Sequence, residues 1–279
     1  MRSAAPAESR YYPHLHPQMK TRAMCLILFA IDSHPQFPLV LAANRDEYYA
    51  RATRPLQPWP EAPGLIGGKD LEAGGTWLGV TAGGRFAAVT NVREGVQRER
   101  WQRSRGELAR DFLVGDDSAA SYARQRFDEG DHYAGFNLLV GDGDAIYYCS
   151  NRGDAPRALG PGIYGLSNDT LDAPWPKVES GKAALRELLQ GSPNPTALLQ
   201  ILSDTTQPAD GALPDTGVGL TLERVYASRF IATPIYGTRA STALLFDADG
   251  TLTLWEQSYS AGGEPEQLIH YHDNPKFRF

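Results

Sequence analysis

The chain has 279 residues, of which 27 are basic and 33 acidic, for a formal charge of −6. A hydrophobic content of 42% is enough for a sizeable core and excludes wholesale disorder. A pI near 5.5 without a basic stripe excludes a nucleic-acid-binding face, and no apolar run approaches the roughly 20 residues of a membrane span.

Residues 1–23 carry Arg2, Arg10, Lys20 and Arg22 against the single acid Glu8, with prolines at 6, 13 and 17. They contain no apolar segment of a secretory signal, and three prolines would break a transit-peptide helix. They read as a disordered leader or as a start assigned too early. The second reading is preferred, because Met24-Cys25-Leu26-Ile27-Leu28-Phe29-Ala30 is a plausible beginning. Residues 25–279 are then expected to form one domain.

Cys25–Ile31 is an apolar run followed by the turn signal Ser33-His34-Pro35, and Leu39–Ala43 is a second run, so the chain opens on a hairpin. That hairpin leads into the polar cluster Asn44-Arg45-Asp46-Glu47. Residues 51–64 hold four prolines and read as a surface loop. Gly74–Val80 and Arg85–Asn91 read as paired strands. Gly106–Phe127 has helical spacing and is split at Gly115-Asp116-Asp117 into two helices. Phe136–Val140 and Ala145–Cys149 flank Gly141-Asp142-Gly143-Asp144 as a hairpin. Gly162–Ser167 is a short strand, Val178–Leu189 and Thr196–Leu202 are helices, and 203–219 is a loop. Ala240–Phe246 and Leu252–Gln257 close the chain as a last hairpin. Strands and helices in blocks, with hairpins throughout, predict an antiparallel α+β fold.

Several motifs lack the context that gives them chemistry. Gly160-Pro161-Gly162-Ile163-Tyr164-Gly165 fits a dinucleotide pattern without a preceding strand or a following helix. Gly67-Gly68-Lys69 lacks the Ser/Thr and first glycine of a P-loop. Arg152-Gly153-Asp154 sits in a turn. His270 and His272 can share a strand face, but two ligands make a poor zinc site. Two cysteines support neither a disulfide framework nor a multi-cysteine metal centre, and they suit a reducing, cytoplasmic setting. No metal and no cofactor is expected.

One constellation remains. If the chain starts at Met24 and the methionine is removed, Cys25 carries a thiol and an α-amine on one carbon. The amine titrates near 7.7–8.0, so its neutral form can serve as the thiol's own base. That is the chemistry of N-terminal-nucleophile (Ntn) hydrolases, and the strand after Cys25 would fix the terminus. Arg45 and Asp46 can return to residue 25 across the hairpin. Asn91 and Asn168 follow strands, where a side-chain amide suits a developing oxyanion. For either Asn alone, the favoured reading is a turn residue accepting backbone hydrogen bonds. Cys25 itself reads as a small buried hydrophobe if residues 1–24 stay attached.

The matching segments Met24–Ala30, Leu41–Glu47, Gly74–Gly79, Thr90–Arg93, Gly165–Asn168, Leu171–Lys177 and Tyr236–Arg239 resemble, in order, the NRDE or transport and Golgi organisation protein 2 family. The resemblance implies a four-layered αββα Ntn-hydrolase-like sandwich, related to choloylglycine hydrolases and penicillin acylases. It also implies a catalytic set of Cys25, Arg45, Asp46, Asn91, Asn168 and Arg239. Those enzymes separate their Arg and Asp by two residues. Here the two are adjacent and face opposite ways on an extended strand, so Glu47 competes with Asp46 as the site acid. Asn44, Glu47, Trp77 and Tyr236 are the expected substrate-binding residues, and Trp101 and Trp175 are further candidates for an apolar pocket.

The leading expectation is an Ntn-type cysteine hydrolase or acyltransferase acting on the non-peptide C–N amide of a small acylated molecule. The alternative is a non-catalytic carrier using the same cleft for haem, acyl-coenzyme A or a lipid, cargoes that the family resemblance suggests. A scaffold in secretory traffic ranks last, since the sequence contains no coiled coil, membrane anchor or peptide-binding repeat.

Overall fold

The computed structural model describes residues 24–94 and 101–273. The leader 1–23 lies outside them. Among the described residues the order is β1 (Met24–Ile31), β2 (Leu39–Tyr48), β3 (Thr53–Pro58), β4 (Leu65–Asp70), β5 (Leu78–Thr81), β6 (Phe86–Asn91), α1 (Arg105–Val114) and α2 (Ala119–Asp128). There follow β7 (Phe136–Gly141), β8 (Ile146–Ser150), β9 (Arg157–Leu159), β10 (Gly162–Leu166), α3 (Pro176–Leu188), α4 (Pro195–Leu202), α5 (Leu220–Tyr226), β11 (Tyr236–Phe246), β12 (Leu252–Tyr259) and β13 (Pro265–Asp273).

The strands form two antiparallel sheets, ordered β10-β1-β2-β11-β12-β13 and β3-β4-β5-β6-β7-β8-β9. β1 shows why its sequence is an unbroken apolar run. Ile27, Phe29 and Ile31 enter the core between the sheets, while Leu26, Leu28 and Ala30 pack with Val178 and Leu185 of α3 and Leu198 of α4. A strand buried on both faces needs no polar alternation. The second sheet repeats the logic. Phe86 and Ala88 face the first sheet, and Ala87 and Val89 pack with Leu108 and Phe112 of α1 and Tyr122 of α2. Helices, sheet, sheet and helices thus give the four αββα layers of an α+β fold.

Local signals set the helix entries. Ser104 caps α1 in a capping box with Glu107, and Asn194 caps α4 ahead of a proline. The start of α1 lies against the loop before β5, where a Cβ on Gly75 would come within 2.3 Å of the Gly106 carbonyl carbon. Only glycine allows that backbone approach.

Three expectations need correction. Residues 51–64 are not all loop, because Thr53–Pro58 is a strand. β3 is the edge of its sheet and pairs only with β4, with a register shift between Arg54 and Gln57. Proline is tolerated on such an edge because the missing N–H has no ladder partner to lose. The predicted strand Gly74–Val80 begins only at Leu78, after a turn in which Gly74 has φ of 72°. The last hairpin does not close the fold, since β13 pairs with β12 as the sheet edge.

A buried carboxylate ties the sheets together. The Leu56 N–H of β3 donates to Glu256 Oε1 of β12 at 2.6 Å, and the Thr242 hydroxyl donates to Oε2 at 3.3 Å. Burial pushes the Glu256 carboxyl up to about 7. Its folded value therefore lies above its unfolded one. The stability linked to its proton is complete below the unfolded value and is lost as pH rises through about 7. Glu256→Gln keeps the acceptor for Leu56, so its Tm is expected to exceed wild type at pH 8, with the difference vanishing near pH 4. A pH-independent difference would refute this account. Glu256→Leu leaves the Leu56 N–H buried and unmet, and should be destabilised by about 1–3 kcal/mol near pH 4, with a smaller deficit at pH 8, where the wild-type carboxyl is ionised.

Candidate active site

Cys25 stands at the start of β1, directly across from Arg45 of β2. Alternation from Ile27 and Ala43 puts both side chains on the face between the sheets. The strand after Cys25 is thus the fixed platform that the sequence predicts. Ser167 and Asn168, just past β10, reach it from the other side. The Ser167 hydroxyl donates to the Cys25 carbonyl at 2.8 Å, and the Cys25 N–H donates to Asn168 Oδ1 at 3.4 Å. Asn168 Nδ2 in turn donates to the Asn91 carbonyl at the end of β6, 3.1 Å away. Asn168 thus reaches Cys25 directly, while Asn91, from the other sheet, is joined to it through its carbonyl's bond with Asn168.

A polar network unannounced by the sequence holds this junction. The Thr90 hydroxyl donates to the Ser167 carbonyl at 2.7 Å, Asn137 Nδ2 donates to Thr90 Oγ1 and to the Asp169 carbonyl, and the Tyr148 hydroxyl donates to Asn137 Oδ1. Asn137 and Ser167 are buried, so each polar group needs such a partner. Thr90 and Tyr148 carry ordinary strand signals, and their link to residue 168 requires the pairing of two sheets that sequence spacing does not encode.

Arg45 is fixed by aromatic and acidic neighbours. Its guanidinium lies 4.3 Å from the Trp77 ring centroid and pairs with Asp70 at 3.5 Å and Glu47 at 3.8 Å. Trp77 is seated on Gly68, where an added Cβ would lie 2.0 Å from the indole. Arg51 shares the same acids, at 2.7 Å from Asp70 and 3.7 Å from Glu47.

The two candidate acids separate by face. Glu47 shares the Arg45 face, whereas Asp46 lies on the helix side and accepts from the Thr238 hydroxyl at 2.6 Å. Asp46 Oδ2 is buried with no hydrogen-bond partner among the described residues. Burial pushes this carboxyl up to about 6, against the pull of the Lys177 ammonium. Asp46 nevertheless acts on the Cys25 thiol more strongly than Glu47 does.

Other expected residues are placed elsewhere. Arg239, at a bulge in β11, donates to the carbonyls of Tyr48, Tyr49 and Arg51 and to the Thr53 hydroxyl, clasping the β2–β3 turn rather than touching Cys25. Asn44 ties β2 to the Leu202 and Arg229 carbonyls. Tyr236 is fully buried between Tyr48 and Tyr226. Trp101 lies 5.9 Å from the Arg152 guanidinium. Two cations near Cys25 escaped the sequence reading, Arg105 and Lys177. Both interact electrostatically with the thiol, and burial lowers both, Lys177 to about 8. Lys177 did carry a signal. A lysine at the second position of a helix opposes the macrodipole and needs another reason to be there. Among the described residues, no group of three or more His, Cys, Asp or Glu is placed to hold a metal ion.

Burial pushes the Cys25 thiol up to about 12, with the Asp46 carboxylate adding to the rise and Arg45 opposing it. With a peptide bond on its nitrogen, Cys25 is thus a protonated, enclosed thiol. Alkylation by iodoacetamide at pH 7.5 should run about a thousandfold slower than for a free cysteine and still be climbing at pH 10. Asp46→Asn should quicken it and Arg45→Met should slow it. A rate that levels off by pH 9 would contradict this.

The geometry defines a two-sheet α+β domain with a buried cysteine at the head of an interior strand, an arginine directly across from it, Asn168 on its nitrogen, and Asn91 bonded to Asn168. The chain belongs to the Transport and Golgi organisation 2 family, whose model matches residues 24–261. The Transport and Golgi organization protein 2 homolog of Bos taurus is 39% identical over 265 residues, covering 87% of this chain and 95% of that protein. The homolog of Homo sapiens is 39% identical over 259 residues, covering 84% and 93%. Among solved structures, a Caenorhabditis elegans ortholog of N-acylethanolamine-hydrolyzing acid amidase matches with a TM-score of 0.45 and 13% identity, over 79% of this chain and 92% of that one. No helix among the described residues is long and apolar enough to cross a membrane.

Proposed function

We propose that this protein is an Ntn-type cysteine amidohydrolase or acyltransferase, working in the cytoplasm on the non-peptide C–N amide of a small acylated molecule. The observation that carries the reading is the placement of Cys25 at the head of β1. Its nitrogen faces Asn168 Oδ1, and Arg45 stands directly across the strand pair. An α-amine at that nitrogen would be held by the same acceptor, beside the thiol it must deprotonate.

In this reading the amine takes the thiol proton as sulfur attacks the amide carbon. A C–S bond forms, and the second Nδ2 proton of Asn168 lies at hand for the oxyanion. Collapse breaks the C–N bond, and the amine leaves with the proton returned from the α-amine. Water then cleaves the thioester and releases the acid, or another nucleophile accepts the acyl group. Arg45, held by Trp77 and Asp70, lowers the cost of the thiolate, since its charge opposes the upward push of burial.

A second reading follows from the thiol as it stands in the chain retaining residues 1–24. Protonated and enclosed, it favours a carrier that binds haem, acyl-coenzyme A or a lipid without turnover. The two readings divide on a panel of N-acyl aminomethylcoumarins of increasing chain length. A chain beginning at Cys25 should release the fluorophore, and intact mass should show an acyl adduct on residue 25. Cys25→Ala, and the chain with residues 1–24 attached, should lose at least about a thousandfold in rate, the scale on which removing a nucleophile acts. Equal release by Cys25→Ala would rule out the hydrolase.

A further inference from the structure

A cleft of about 220 Å3 lies beside the Cys25 junction, lined by Arg93, Trp175, Lys177, Pro214, Glu223 and Tyr226 among others. It is joined to the site through the backbone, since the Arg93 N–H donates to the Asn168 carbonyl at 2.6 Å. Most of that space is open to solvent, and the enclosed floor has room for a group about the size of one water molecule, so only the end of a molecule could seat there.

The charges in the cleft do not cancel locally. Arg93 is matched by Glu223 at 2.6 Å and lies over the Trp175 and Tyr226 rings, at 4.7 and 5.2 Å. Lys177 is 4% exposed and gives one N–H to the Tyr226 carbonyl, the last of α5, at 3.1 Å. Its other donors find no partner among the described residues, and no carboxylate closes an ion pair with it. Asp46 pulls on the ammonium from the sheet side and Glu223 from the cleft wall, but Asp46 is absent from the lining and Glu223 is taken up by Arg93. A buried cation short of partners is costly unless an anion completes it.

We propose that the cleft is a carboxylate subsite, in which Lys177 donates to one carboxylate of the bound molecule while the Trp175 and Pro214 walls cover the chain next to it. One uncompensated positive charge suits a carboxylate rather than a phosphate dianion. That this carboxylate belongs to the molecule whose amide Cys25 attacks rests on the reading above; the subsite itself does not. An N-acyl amino acid is the substrate class with both groups at short spacing.

Calorimetry on the full-length Cys25→Ala chain at pH 7 compares N-octanoylglycine with N-octanoylglycinamide, which differ only in the charge. The acid should bind about 10- to 100-fold more tightly, the range of a hydrogen bond to a charged group. Lys177→Met should erase the preference. Carbodiimide coupling of N-octanoylglycine to the chain with Lys177 in place should join the acid to Lys177, which locates the site even if Lys177→Met does not fold. Equal binding of the two probes, a preference that survives in folded Lys177→Met, or coupling confined to other lysines would each overturn the subsite. Carboxylate preference without fluorophore release from the acyl panel keeps the subsite and removes the hydrolase reading. Release without carboxylate preference does the reverse.

Discussion

Burial of β1 on both faces is the constraint from which the rest of the site follows. With Leu26 and Leu28 under the helices and Ile27 and Phe29 between the sheets, the strand cannot slip by one residue without exchanging two cores. Its register against β2 and β10 is thereby fixed, and so is the pairing of Cys25 with Arg45. A side chain at the end of an exposed strand would fray. Here residue 25 is anchored by apolar packing on both sides, with its nitrogen and carbonyl engaged by Asn168 and Ser167. The precision of the polar junction comes from the apolar run that follows Cys25.

The same burial sets the electrostatics. Removing solvent raises the Cys25 thiol, raises Asp46 and lowers Lys177, in each case favouring the neutral form. These groups sit together, so each neutralisation or charging alters the others. Arg45, like Arg105, is an obligate cation. Its pairing with Asp70 and its seat on Trp77 make it a fixed positive charge beside groups that can change state. Clustered, mutually opposed titrations in a buried setting are a mark of functional sites, although ion-pair networks share it.

Much of the fold was legible in the sequence because its signals are local. The apolar runs of β1 and β2, the Gly-Asp turn between β7 and β8, and the capped helices α1 and α2 follow from burial, turn chemistry and periodicity. β3 was hidden because Pro55 and Pro58 read as loop residues until the edge position of the strand is known. α5, at seven residues, is too short for a periodic signal. The site divides in the same way. Cys25, Arg45, Asn91 and Asn168 could be named because each ends a recognisable strand. Arg105 could not, and Lys177 showed only as a lysine set against the helix dipole, because what gives both meaning is proximity to Cys25 across layers. The choice between Asp46 and Glu47 needed three dimensions too: alternation separates their faces, yet the acid on the far face acts more strongly on the thiol.

The chemistry of residue 25 turns on a single covalent bond. Attached to residue 24, its nitrogen is an amide with no basicity, and the nearest acids work against ionisation of the thiol. Freed, the nitrogen becomes an amine whose ordinary pKa lies near neutrality, and the proton that burial holds on sulfur acquires an acceptor one carbon bond away. Asn168 Oδ1 already stands at the nitrogen, and Arg45 already opposes the cost of a thiolate. The fold therefore separates positioning from activation. Packing supplies the geometry around Cys25, and on the proposed reading the state of the peptide bond before it decides whether that geometry can be used.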